Sequence, residues 1–205
     1  MNMKKLLWVL LAVLLIVGFY WFRVKKDYYK EDVKNESIKV TAQSDVFNQS
    51  FDTVLNNYFS VKAALVEADT STVKSNAVLF LNSLNRLPIE DIQKNSPDIY
   101  GGVSMLVNDL VLNTQRLLTQ TDIVEMRQDF RMVSENLYPL LKTIHYTGAK
   151  VYWQTCPMAF GKDQGANWLS NTAEILNPYL GKKHPIHKDK MLDCGEIVDS
   201  IQSTK

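Results

Sequence analysis

Apolar residues recur every three or four positions through the middle of the chain, and that spacing predicts amphipathic helices. Phe47, Phe51, Val54, Tyr58, Val61 and Leu65 form one stripe, with Ser44 or Asp45 placed to cap its first turn. The phase resets at "EADTST". Val73, Ala77, Phe80, Leu81, Leu84 and Leu87 then make a second stripe, which Pro88 ends. A third begins near "SPD", with Ser96 as cap and Pro97 at the first helical position, and runs through Ile99, Val103, Leu106, Leu110 and Leu117. Gly101 and Gly102 cost that helix about 1 kcal/mol each relative to alanine. The fourth stripe is Ile123, Met126, Phe130, Val133, Leu137, Leu141 and Ile144. Asp122 and Glu125 have capping-box spacing at its start, and Pro139 inside it predicts a kink or an end one turn early. Four stripes with short connections predict an all-α fold, an up-and-down four-helix bundle.

Both ends of the chain depart from this period. Lys4 and Lys5 precede an apolar run from Leu6 to Phe22, broken only by Gly18 and followed by Arg23, Lys25 and Lys26. Such a run is either an uncleaved membrane anchor or an export signal peptide, and no Ala-x-Ala-like cleavage site follows it. Residues 1–23 are therefore expected to be the anchor or signal, 24–43 a polar linker, 44–199 the helical domain with its closing segment, and 200–205 a tail. The expected location is the bacterial inner membrane with the domain in the periplasm, or the periplasm itself if the segment is removed. From Ala149 onward the helical period fails. "AKVYWQT" suits a short extended segment, "SNTAEIL" one helical turn, and the remainder an irregular Cys- and Trp-rich piece that closes one end of the bundle.

Composition narrows the function classes. The formal net charge is +1 with lysines and acids interspersed, so no basic surface for nucleic acid stands out. No Gly-x-Ser-x-Gly elbow, His-Glu-x-x-His, phosphate loop or dinucleotide fingerprint is present, so neither catalysis nor a small-molecule substrate is inferred.

Both cysteines of the chain, Cys156 and Cys194, lie in the closing segment, spaced with methionines as Cys-x-Met (Met158) and Met-x-x-Cys (Met191). Two chemistries suit that set, beside unpaired structural thiols. In an exported domain two cysteines most often form a disulfide, which would hold an irregular segment in shape. Alternatively two thiolates and two thioethers would bind a soft ion such as Cu(I), with His184 and His187 as further ligands. His145, near the end of the fourth stripe, reads as a helix-end residue.

The motifs "YWQTCPMAF", "GANWLS", "EILNPYLG" and "MLDCG" resemble a bacterial domain-of-unknown-function family (number 3347). That family occurs alone behind an export signal or fused to periplasmic adaptor subunits of copper/silver efflux pumps. The resemblance covers about residues 45–195 and implies a helical bundle with a closing segment. It implies a role in heavy-metal handling, with Cys156, Met158, Met191 and Cys194 as ligands and an efflux adaptor or other envelope protein as partner. One departure concerns "KKHPIHKDK", which separates the Asn-Pro-Tyr and Met-x-x-Cys motifs and places His184 and His187 in an extension.

Overall fold

The computed structural model describes residues 43–202, so the expected anchor, most of the linker and the last tail residues lie outside the described part. Four long helices and a short one come first: α1 (Asp45–Val66), α2 (Thr70–Asn85), α3 (Ile89–Asn95), α4 (Pro97–Thr119) and α5 (Ile123–Thr143). None of these helices is long and apolar enough to cross a membrane.

The stripes do what their spacing predicts. Phe47, Phe51, Val54, Tyr58, Val61 and Leu65 are buried along α1, and Met126, Phe130, Val133, Leu137 and Leu141 along α5. Each large apolar side chain removed from water contributes about 1.5–3 kcal/mol before entropy is counted. Caps fix the starts. Ser44 Oγ accepts from Phe47 N at 3.1 Å and donates to Asp91 Oδ2 at 2.7 Å, tying the head of α1 to α3. Asp69 caps α2 through Thr72 N, and Asp122 caps α5 through Val124 N at 2.7 Å. Ser96 stands at the start of α4 before Pro97, but its hydroxyl makes no capping bond. In α4 the buried face includes Val107 and Thr114, while Leu106 is only half-buried. Helix α3 has no counterpart among the four predicted stripes: seven residues after Pro88 are helical and are anchored by the buried Ile92. Helix α5 does not end early at Pro139 but continues to Thr143.

The all-α expectation is overturned. Beyond the helices lies a three-stranded antiparallel sheet, β1 (Val151–Cys156), β2 (Ala166–Ser170) and β3 (Glu196–Ile201), in the order β2-β1-β3. The expected helical turn at "SNTAEIL" is not formed: Ser170 ends β2 and bends follow at 171–174. The physical reason is that β1 alone could not satisfy its backbone. It needs partners on both edges, and the chain supplies them from ten residues on and from forty residues on. Pairing with β3 shifts after Trp153↔Asp199 to Gln154↔Ile197, leaving Val198 as the extra residue of a bulge.

The sheet packs on the bundle through polar and aromatic contacts. Tyr58, fully buried on α1, stacks on Phe130 of α5 at 4.9 Å, and its hydroxyl lies 2.7 Å from Ser134 Oγ while accepting from Leu169 N at 3.0 Å. Trp153 of β1 stacks on Tyr138 of α5 with centroids 4.3 Å apart. Tyr138 and Lys142 on α5 both hold the Asp199 carboxylate of β3.

Candidate functional site

Cys156 ends β1, fully buried opposite Ala166, and Cys194 occupies the half-buried turn that leads into β3. Both are free thiols here, with their sulfurs 2.6 Å apart. That is tighter than ordinary contact between unbonded sulfurs and longer than a covalent bond of about 2.05 Å. Burial, and then the neighbouring Cys156 thiol, raise the Cys194 pKa, so the pair disfavours the thiolate form. Two thiolates on one tetrahedral ion with bonds of about 2.3 Å sit about 3.8 Å apart, so this pair would have to open to share an ion.

Several residues hold Cys194 in place. The side chain of Asn177, fully buried, donates from Nδ2 to Cys194 O at 2.9 Å and accepts on Oδ1 from Tyr179 N and Leu180 N. Its backbone N also bonds Leu192 O. The Asn-Pro-Tyr motif is thus a latch: one amide shapes its own turn and grips the Met-x-x-Cys turn. Gly195 follows with φ +148°, and a Cβ there would stand 2.5 Å from Thr155 O and 2.9 Å from Trp168. Only glycine lets the chain pass so close to β1. Tyr179 is buried against Trp168 and Phe160, and its hydroxyl donates to Asn167 O of β2.

Arg127 fastens this segment to the bundle. Buried in α5, it donates from Nε to Pro178 O at 2.9 Å and from one terminal nitrogen to Leu65 O and Leu180 O. Desolvation lowers its pKa to about 10, which leaves it charged at neutral pH, facing the carbonyl end of α1.

The other predicted ligands stand elsewhere. Met158 is exposed and lines an open groove of about 480 Å³ with Phe160, His184, Ile186 and His187. The two imidazoles stack with centroids 4.8 Å apart. His184 Nδ1 accepts from Ile186 N and His187 N, which places the proton of the neutral ring on Nε2. Burial, His187 and Arg127 all lower its pKa. Met191 is half-buried against the core and is not part of the groove's lining. The structure therefore brings Cys156 to Cys194, and Met158 to His184 and His187. Among the described residues no group of three or more His, Cys, Asp or Glu side chains is placed to hold a metal. His145 stands two residues past the end of α5 in the left-handed region, φ +50°, and is exposed.

Two buried cations escaped the sequence reading, Arg127 and Lys62. Each had a signal, because Lys62 lies four residues after Tyr58 and three before Leu65, and Arg127 lies three before Phe130: both sit within an apolar stripe.

Residues 54–148 match the model of a family described as "Protein of unknown function (DUF3347)". That match supports the domain-of-unknown-function family across the helices, from Val54 in α1 to the turn after α5, and stops short of β1 and both cysteines. No curated protein and no solved structure matches the chain.

Proposed function

We propose that this chain is an exported, non-catalytic binding module of the bacterial envelope whose closing segment is stapled by a disulfide between Cys156 and Cys194. The observation that carries this reading is the 2.6 Å approach of the two sulfurs, with Cys156 fully buried. Forming the bond removes two protons and two electrons, which the thiol oxidants of an exporting compartment accept. Closing a loop between residues 38 positions apart contributes about 4 kcal/mol in the chain-entropy picture. The apolar run from Leu6 to Phe22 supports export, by a retained anchor or a cleaved signal. A thiol titration of the denatured protein, isolated from an oxidising compartment without reductant, is expected to find no free thiol. Two reactive thiols per chain would dismiss the staple.

A soft-metal reading has its own supporting observation: Met158, His184 and His187 line one groove, and neither cysteine is part of its lining. In this reading a Cu(I)-like ion is held there on its way to an efflux partner, with the cysteine pair and Met191 as ligands only after the pair opens. Anaerobic Cu(I) titration separates the two readings. Weakened binding in both Met158→Leu and His187→Ala supports the groove, and unchanged affinity in both removes it.

A further inference from the structure

A second cavity, of about 550 Å³, opens between the C-terminal half of α1 and the segment 171–176 behind β2. Its volume falls in the range of small-molecule pockets. The wall is built, since fully buried Gln154 donates from Nε2 to Thr172 O and Glu174 O, and Ser170 Oγ accepts from Thr172 N.

Lys62 lines this cavity at 6% exposure. Its ammonium carries three donors, and the hydrogen bond it makes is to Ser170 Oγ at 2.9 Å. Among the described residues it has no ion-pair partner. The nearest acidic influence on it is Glu174, which also lines the cavity, is exposed, and lies beyond the 4.0 Å of an ion pair. Glu67 at the rim is already paired with Lys182. The apolar side chains Phe59, Val66 and Leu176 line the same cavity. Burying an ammonium without a counter-ion is costly, and a chain that keeps one there faces an anion from outside. With Glu67 and Lys182 neutralising each other, the rim charge left over is that of Glu174, so a second negative charge on the ligand is disfavoured and a positive one is welcome.

We propose that this cavity binds a small zwitterion, an α-amino acid with an apolar side chain, whose carboxylate meets Lys62, whose ammonium meets Glu174 and whose side chain covers Phe59 and Leu176. Ser170 is a positioning residue in this site: its oxygen holds the Lys62 ammonium, and at full burial it is out of reach of the ligand. Neither cysteine takes part, so this site and the staple stand or fall separately.

The test is calorimetric titration of the described domain, 43–202, kept within the full chain, with leucine, with 4-methylpentanoate (which lacks the ammonium) and with 3-methylbutylamine (which lacks the carboxylate). Leucine is expected to bind most tightly. Lys62→Met is expected to weaken leucine and 4-methylpentanoate by about tenfold or more while remaining folded, which its unfolding curve checks. Glu174→Gln is expected to abolish the preference for leucine over 4-methylpentanoate and leave the latter's affinity unchanged or tighter. No heat with leucine at millimolar concentration, or equal leucine affinity in wild type and Lys62→Met, would overturn the proposal. Tighter binding of the amine than of leucine would overturn it as well.

Discussion

Arg127 and Lys62 are both cations inside an apolar stripe, yet the fold treats them differently. Arg127 meets three backbone carbonyls and joins α1, α5 and the closing segment at one point. Replacing it with methionine takes the donor from Pro178 O and Leu180 O, while Leu65 O keeps Ala68 N, so Arg127→Met is expected to destabilise the domain by about 3 kcal/mol in urea unfolding. Lys62 meets one hydroxyl and, with its ammonium 6.0 Å from the centroid, the face of Phe59. Lys62→Met is therefore expected to stabilise the domain at pH 7, by about 1–3 kcal/mol, as removal of an unpaired buried charge does. Its pH signature follows from burial, which lowers the Lys62 pKa from 10.5 to about 8. Below about 8 both folded and unfolded chains hold the proton. Above it the folded chain releases the proton while the unfolded chain keeps it to 10.5, so stability rises with pH from 8 upward. Between pH 7 and 9 wild type should gain stability relative to Lys62→Met, a difference that paired unfolding curves measure below the range where tyrosines ionise.

At the scale of elements, the four long helices were legible, while short α3 and two of the three strands were not. Helices announce themselves locally, because each stripe needs only its own spacing. Strand β1 was visible as "AKVYWQT", rich in Val, Tyr and Trp. Strand β2 is five residues between turn signals, and β3, "EIVDSI", is mostly exposed and bulged, so neither carries a clean alternation. Their partner is β1, reached only through tertiary pairing, and single-sequence patterns do not encode that. The cysteine approach had a sequence signal in two thiols confined to one segment; the placing of Met158 but not Met191 in the groove lined by the histidines had none. Two element-scale predictions follow from the β3 side of the sheet. Gly195→Ala places a methyl against Thr155 O at a backbone angle that L residues rarely adopt, and is expected to cost about 2 kcal/mol or more, read as a lowered Tm. Hydrogen bonds from Lys142 and then Tyr138 lower the Asp199 pKa from 3.8 to about 2. The stability this carboxylate adds is present above pH 4 and is lost as pH falls from 4 toward 2. Asp199→Asn is expected to be modestly less stable at neutral pH, because the carboxylate is partly exposed, and to show a flatter acid limb in that window.

For the whole molecule, the closing segment is a second layer clamped on a helical scaffold, and its motif residues explain themselves as clamps. Asn177 latches the Cys194 turn, Tyr179 reaches β2, Arg127 pins 178–180, and Gly195 lets β3 return beside β1. A disulfide at the junction of β1 and that last turn would lock the layer as one piece, with the open groove at Met158 and the Lys62 cavity among its accessible surfaces. Non-reducing proteolytic mass mapping of protein drawn from an oxidising compartment, alkylated while denatured, tests that staple most directly. A single linked species joining the Cys156 peptide to the Cys194 peptide is the expected result; two separately alkylated peptides would contradict the account.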